Sequence, residues 1–367
     1  MLIQIQREDL LKPLSQVCGG AERRQTLPIL SNILLHHGDS ELVLTGTDLE
    51  IEVVTRVAQV KGEPGEITLP ARKLLEICRA LPAQASIEIK QDKDKATVKS
   101  GRSRFTLLTL PASDFPNIET AQWEQTLPVN QKALKSLLEK TQFCMAQQDV
   151  RYYLNGLLFD LSGKQLRAVA TDGHRMAVAV IALSNPAKKE QQLIVPCKGV
   201  QEIVRFLEDD DAKEVQLQLN ANHLRINLNG LTFTCKLIDG RYPDYTKVIP
   251  ESQRTRLRLE RETLRGTLGR VAILSNEKYR GVRLGLKSGS MKLVAHNPEH
   301  EEAQEEIPID YKGEEIEIGF NANYIMDAIG ALDSDEIEFG LTDANSSCTL
   351  NSPGDTSHQY IVMPMRL

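Results

Sequence analysis

Apolar residues at residues 68–81, TLPARKLLEICRAL, recur at the three- and four-residue spacing of a helix, and the pattern returns twice further along the chain. Leu74, Leu75, Ile77, Cys78 and Leu81 form one stripe, while Arg72, Lys73, Glu76 and Arg79 fall on the opposite face. Residues 194–207, IVPCKGVQEIVRFL, and 319–332, GFNANYIMDAIGAL, share this design, which makes Leu74, Val200 and Ile325 equivalent at separations of 126 and 125 residues. Pro70 and Pro196 stand just ahead of their helices, where a missing N–H costs little.

The rest of each repeat follows the same order. Leu2 to Gln6 alternates as a strand, and Leu10, Leu11, Leu14 and Val17 give a second helical stripe ended by Gly19 and Gly20. Pro13 inside it predicts a short or bent helix. TLPILSNILLHHG, ELVLTGTDLEIEVVTRV and GEITLPA read as strands, and SIEIKQDKDKATVKSGRSRFTLLTL supplies more after the helix. In repeat two, VNQKALKSLLEKTQFCM aligns Leu138 with Leu14, and AVATDGHRMAVAV puts Asp172 at the place of Asp48. In repeat three, LERETLRGTLGRVAIL, YRGVRLGLK and KLVAHNPEHEEAQEEI follow, with Asn297 at that same place. Six helices are therefore predicted near residues 7–18, 72–81, 130–145, 197–207, 261–275 and 322–332 of an α+β chain. Three similar domains are expected at 1–121, 122–250 and 251–367, with linkers near Ile118 to Leu127, which holds the single Trp123, and near Pro250 to Thr255.

A length of 367 residues exceeds what one core usually supports, in keeping with three domains. Met1 to Arg7 alternates in polarity rather than forming a signal peptide, and no apolar run approaches a membrane span, so a soluble, cytoplasmic protein is expected. The cysteines Cys18, Cys78, Cys144, Cys197, Cys235 and Cys348 lack CxxC spacing and read as reduced thiols. A net charge of −6 argues against nucleic acid until its distribution is considered. The six helical windows hold thirteen Lys and Arg against seven Asp and Glu, a net +6 that leaves −12 for the remainder. Such segregation lets one basic surface meet phosphates while the rest repels them. A merely solvated helix face gives the same count, and the second helix of repeat three contributes no basic residue. Zinc-finger, helix-turn-helix and aromatic RNA-binding patterns are absent and aromatics make up only 5%, so any DNA contact should be to phosphates, without sequence preference. ATDGHR offers Asp172 and His174 as a metal or acid–base pair, the basis of a hydrolase alternative, but no further ligand stands at metal spacing and no cofactor is implied.

The motifs TLPILSN, LTGTDLE, SGRSRF, DVRYYLNG, ATDGHR, DGRYPDY, LSNEKYRGVR, NPEHEEAQEE and VMPMRL, running from the first strand to the last residue, resemble those of the bacterial sliding clamps. These are the beta subunits that keep the replicative DNA polymerase III on its template. The resemblance implies the DNA clamp fold: three tandem domains, each with two helices inside and antiparallel sheets outside, and a non-catalytic head-to-tail ring homodimer around double-stranded DNA. It places DNA contacts at Arg24, Gln148, Tyr152 and Tyr153, with Lys198 and Arg205 as further candidates beside the basic Arg72 and Lys73 of the helix face. Tyr152 and Tyr153 are expected on the two faces of one strand, so at least one belongs to the core.

Charge also favours pairing of unlike ends: Lys99, Arg102 and Arg104 lie in repeat one, and Glu299, Glu301, Glu302, Glu305 and Glu306 in repeat three. The resemblance adds Lys73 to this joint and packs Ile273 and Leu274 into it. A peptide-binding groove between repeats two and three is implied at Leu154, Thr171, Gly173, His174, Arg175 and Met176, with Pro243, Lys247 and Val248. Asn321, Tyr324 and Ser347 join them, followed by Ile361, Val362, Met363, Pro364, Met365 and Arg366. There the DNA polymerase III alpha subunit, the clamp loader delta subunit and other proteins with a clamp-binding motif would insert apolar anchors. Met176 replaces the more familiar Leu, and Lys247 stands where some relatives carry Arg. Without the resemblance, IVMPMRL reads as an edge strand with a frayed end. The remaining alternative is a repeat-built peptide-binding adaptor that never encircles DNA.

Overall fold

The helical stripes and alternating runs become six α-helices and four antiparallel sheets among the described residues. The structure, a computed structural model, describes residues 1–21, 27–118, 122–250 and 253–366. The helices are α1 (Arg7–Val17), α2 (Ala71–Ala80), α3 (Gln131–Glu139), α4 (Cys197–Phe206), α5 (Arg261–Val271) and α6 (Ala322–Gly330). On α2 the stripe residues Leu74, Leu75 and Cys78 are buried with Ala71, while Arg72, Lys73 and Arg79 stay exposed. On α1, Leu10, Leu14 and Val17 are buried. Pro13 does not shorten this helix, which runs eleven residues through it. Asp9, whose carbonyl loses its partner to Pro13, is exposed, so water can serve it.

By contacts the chain divides into two units, residues 1–131 with 205–237, and residues 132–204 with 238–367. In the first unit a five-stranded sheet runs Lys61–Glu63, Leu2–Gln6, Ser86–Asp92, Lys95–Ser100, Ser103–Leu108. Its eight-stranded sheet runs Gln125–Asn130, Glu214–Leu219, His223–Leu228, Leu231–Lys236, Ile51–Val57, Glu41–Thr47, Asn32–Gly38, Gly65–Pro70. In the second unit the eight strands are Gln191–Pro196, Gly156–Ser162, Gln165–Thr171, Arg175–Ala182, His358–Val362, Cys348–Asn351, Glu336–Leu341, Thr255–Glu260. Its four-stranded sheet runs Glu302–Pro308, Ser290–His296, Gly281–Lys287, Ile316–Asn321.

Both eight-stranded sheets are stitched across repeats in the same way. Phe233 pairs with Val53 in one and Ile361 with Met176 in the other, so the last strand of a repeat lies beside a middle strand of the repeat before it. Backbone pairing thus continues through the repeat junction, and the two units follow the sheets.

Two expectations need correction. Pro28–Ser31 within TLPILSN is a 3₁₀ turn started by Pro28, and the strand begins only at Asn32. The windows 130–145 and 261–275 overrun their helices, which give way to the 3₁₀ turns Gln142–Cys144 and Ala272–Leu274. Thr141 Oγ1 donates to the Leu137 carbonyl at 2.8 Å, and Ser275 Oγ to that of Ala272 at 2.7 Å. These bonds satisfy carbonyls that a continued helix would have used. All six cysteines are free, and no described helix is long and apolar enough to cross a membrane.

The end of α1 approaches its sheet through two glycines. A Cβ on Gly46 would sit 2.3 Å from the Val17 carbonyl oxygen, and one on Gly20 2.5 Å from that of Gly46. By contrast, a Cβ on Gly269, exposed on α5, meets nothing within 4 Å. Gly46→Ala is expected to cost about 2–4 kcal/mol, and Gly269→Ala to stabilise by up to about 1 kcal/mol. Opposite shifts of the urea unfolding midpoint would show this.

Candidate functional site

The Asp172 turn explains itself by comparison with its repeat. Thr171 Oγ1 donates to the Arg175 carbonyl at 2.6 Å and accepts from Gly173 N at 3.1 Å, while Asp172 Oδ1 accepts from His174 N and Arg175 N at 2.9 and 3.0 Å. Thr47 and Asp48 make the same four bonds with Ile51 O, Leu49 N, Glu50 N and Ile51 N. Asn297 Oδ1 likewise accepts from Glu301 N at 2.9 Å. The repeated Asp or Asn position is a side chain that closes a turn, and it needs only an oxygen acceptor. The other Asp172 oxygen accepts from Arg175 Nε at 3.1 Å, and His174 points outward, its ring stacked on Tyr324 at 6.5 Å between centroids. Among the described residues no group of three or more His, Cys, Asp or Glu side chains is gathered to hold a metal.

That turn forms one lip of an apolar cleft in the second unit, with about 640 Å³ of empty space that is partly open to solvent. The pairing of Met176 with Ile361 brings two nearly inaccessible side chains side by side as its floor, with Leu154 joining from the 3₁₀ turn Tyr152–Leu154. Tyr242, Pro243, Tyr245 and Val248 make one wall, while Tyr153 and Met363 line other parts. Tyr242 OH accepts from Thr171 N at 3.1 Å, tying wall to lip. Gly173 has φ 88°, and a Cβ there would lie 2.9 Å from the Arg151 guanidinium. Arg151 in turn grips Asp149 at 2.8 Å, a bond that holds the Asp149 carboxyl at a pKa of about 2.

Arg175 lines the cleft and is also a rivet. Its guanidinium reaches Asp327 of α6 at 2.5 Å and the Phe143 carbonyl at 2.8 Å, and lies 4.5 Å from the centre of the Tyr324 ring. These contacts hold repeat two against repeat three beside the cleft.

Of the groove positions expected from sequence, Leu154, Thr171, Gly173, Arg175, Met176, Pro243, Val248, Ile361 and Met363 line this cleft. Others lie around it with separate tasks. Asn321 caps α6 by accepting from Asn323 N, Lys247 is exposed and paired with Asp244 at 3.2 Å, and Val362 is buried in the sheet. Ser347 is half-buried and Arg366 exposed. The terminal segment is not frayed: Met363 N donates to the His174 carbonyl at 2.9 Å and Met365 N to that of Gly319 at 2.8 Å, with Pro364 between them. Four further residues line the cleft: Tyr153, expected at DNA, and Arg151, Tyr242 and Tyr245, to which the sequence assigns no role. Their only signal was membership of the DVRYYLNG and DGRYPDY motifs.

The expected DNA positions fall on several elements. Arg24 lies outside the described residues. Tyr152 and Tyr153 are not on a strand but in the 3₁₀ turn, their rings edge to face at 5.8 Å. Tyr152 is 57% exposed, whereas Tyr153 turns into the cleft. Gln148, Arg72, Lys73 and Arg205 are exposed and Lys198 is half-buried, while Arg205 Nη2 donates to the Gln16 carbonyl of α1 at 3.0 Å.

For the expected joint, KSGRSRF forms a hairpin turn, leaving Arg102 exposed in the turn and Arg104 at the start of the outer strand Ser103–Leu108. Glu299, Glu301 and Glu302 are exposed at or before the outer strand Glu302–Pro308. Ile273 is 72% exposed and Leu274 partly so. Glu305 is already engaged, since Arg270 of α5 binds both its oxygens at 2.9 and 2.6 Å and lowers its pKa.

Family models for the N-terminal, central and C-terminal domains of the DNA polymerase III beta subunit match residues 1–119, 128–244 and 246–366. The chain belongs to the DNA polymerase III beta subunit family. It is 50% identical to the beta sliding clamp of Pseudomonas putida and 47% identical to that of Escherichia coli K12, over the full length of each pair. The crystal structure of the Pseudomonas aeruginosa DnaN sliding clamp bound to griselimycin superposes with a TM-score of 0.96 at 49% identity, and a Caulobacter crescentus beta clamp with 0.94 at 38%, each over all of both chains. The fold is thus the three-domain sliding-clamp fold, and the family is one of non-catalytic processivity factors.

The turn chemistry yields a direct expectation for this family member. Asp172→Ala strips three donors of their acceptor and should cost about 2–3 kcal/mol, whereas Asp172→Asn keeps an oxygen and should cost about 1 kcal/mol or less. Chemical denaturation of the two variants checks the difference.

Proposed function

We propose that two copies of this chain close head to tail into a ring that encircles duplex DNA and tethers partner proteins by apolar peptide segments seated in the cleft. The observation that carries this reading is a pair of open sheet edges of opposite charge on one chain. Ser103–Leu108 is the outer strand of the five-stranded sheet and opens with Arg102 and Arg104, while Glu302–Pro308 is the outer strand of the four-stranded sheet and follows Glu299 and Glu301. Antiparallel pairing of one chain's basic edge with the other's acidic edge satisfies both backbones and repeats by a twofold axis. Ile273 and Leu108, 72% and 67% exposed, supply apolar surface for the contact, and Lys73 lies on the exposed face of α2. Because Glu305 is held by Arg270, Glu299, Glu301 and Glu302 carry the acidic side of this joint.

We take the three domains as 1–121, 122–250 and 251–367, a division supported by family-model matches over 1–119, 128–244 and 246–366. The exposed cations Arg72, Lys73 and Arg205, with Gln148 and Tyr152, face phosphates without reading bases, which permits sliding. The cleft's apolar floor and tyrosine wall suit the anchors of the polymerase alpha subunit, the clamp loader delta subunit and other motif-bearing partners in the cytoplasm.

Two measurements bear on the ring. Ile273→Glu should convert a species of twice the 41.0 kDa chain mass into single chains by light scattering. Protein loaded onto nicked circular DNA should survive a high-salt wash and be lost once the circle is cut. Loss in salt from the intact circle would instead indicate an ordinary phosphate binder.

A further inference from the structure

The wall of the cleft depends on two residues that do not line it. Asp160 and Arg167 face each other across the paired strands Gly156–Ser162 and Gln165–Thr171. Between them they take both sides of one hydroxyl: Tyr245 OH donates to Asp160 Oδ2 at 2.8 Å and accepts from Arg167 Nη1 at 2.9 Å. Gln192 Nε2 steadies the same carboxylate oxygen at 3.3 Å. The Tyr245 ring is 6% exposed and packs with Leu154, Met176 and Ile361, so its other face is cleft wall.

Tyr245 opens the 3₁₀ turn Tyr245–Val248, which carries the lining residue Val248. Tyr242, three residues earlier, likewise has its hydroxyl engaged, accepting from Thr171 N at the lip. Both tyrosine hydroxyls of the wall are thus taken up by protein partners, and these bonds set its position. A ring held at both lone-pair and proton cannot swing to follow an occupant.

We propose that Asp160 and Arg167 are positioning residues which lock the Tyr245 ring as a fixed wall, so that this triad selects the size of the apolar anchor the cleft accepts. The inference rests on the cleft being the peptide site. Its specific content is that discrimination between anchors, and not the presence of the cleft, depends on the triad.

The test uses the full chain and two fluorescein-labelled hexapeptides, Gly-Ser-Leu-Ser-Leu-Phe and the same peptide ending in Val, followed by anisotropy. Tyr245→Phe keeps the ring and removes both hydroxyl bonds, and Asp160→Ala removes the acceptor. Each should change the ratio of the two Kd values by about 5- to 10-fold, whereas Asp160→Asn, which keeps an oxygen, should restore the native ratio. A purely structural role would lower the thermal midpoint and leave the ratio unmoved, and that result overturns the inference, as does an equal loss for both peptides. Met363→Glu, at an exposed position of the cleft, separates the two levels. If it leaves both peptides bound, the cleft reading itself fails. If it abolishes binding while Tyr245→Phe keeps the native ratio, the cleft stands and the triad's role does not.

Discussion

Everything in this structure follows from the need of a strand's backbone to find a partner. An unpaired row of N–H and C=O groups is a template for another strand, so each edge is either paired, blunted or used. Inside the chain, the pairing of Ile51–Val57 with Leu231–Lys236 and of Arg175–Ala182 with His358–Val362 carries sheets across repeat junctions. Several remaining edges are blunted. Lys61–Glu63 is three residues long, Gln125–Asn130 contains Pro128, and Ile316–Asn321 is bridged at Gly319 by Met365. Ser103–Leu108 and Glu302–Pro308, six and seven residues long, lack an internal proline, and their charges are opposite in sign. Partner choice is then written into the edges themselves.

The same stitching creates the cleft. Because the last strand of repeat three lies against a strand of repeat two, Ile361 and Met176 become neighbours, and the chain beyond Val362 must pass the Asp172 turn. A turn conserved in geometry between repeats one and two thus acquires a different use. At Leu49 it bears a side chain, whereas at Gly173 it leaves room for Arg151 to fold over the rim. Peptide capture and domain cohesion share residues here, since Arg175 both lines the cleft and holds Asp327 of α6.

The helices were legible in sequence because their stripes report burial directly: Leu74, Leu75 and Cys78 had only one face on which to lie. The repeat was legible for the same reason, and the aligned Asp48, Asp172 and Asn297 proved to share an acceptor role that no single copy would disclose. Less could be read where structure depends on distant partners. DGRYPDY carries no apolar periodicity of its own, yet Tyr242 and Tyr245 are buried and bonded to strands some eighty residues away, at Thr171, Arg167 and Asp160. Glu305 looked like its acidic neighbours until Arg270, on another element, was seen to hold it. Tyr152 and Tyr153 alternate like strand residues but sit in a 3₁₀ turn that gives them different surroundings.

The central claim is that the two charged edges pair with each other between chains. Hydrogen exchange read by mass spectrometry, as the protein is diluted through its dissociation range, measures this directly. Amides of Ser103–Leu108 and Glu302–Pro308 should be protected together at high concentration and lose protection together on dilution, while Ile51–Val57 and Leu231–Lys236 remain protected throughout. Edge-strand exchange that is fast at every concentration, or protected at every concentration, would contradict the account.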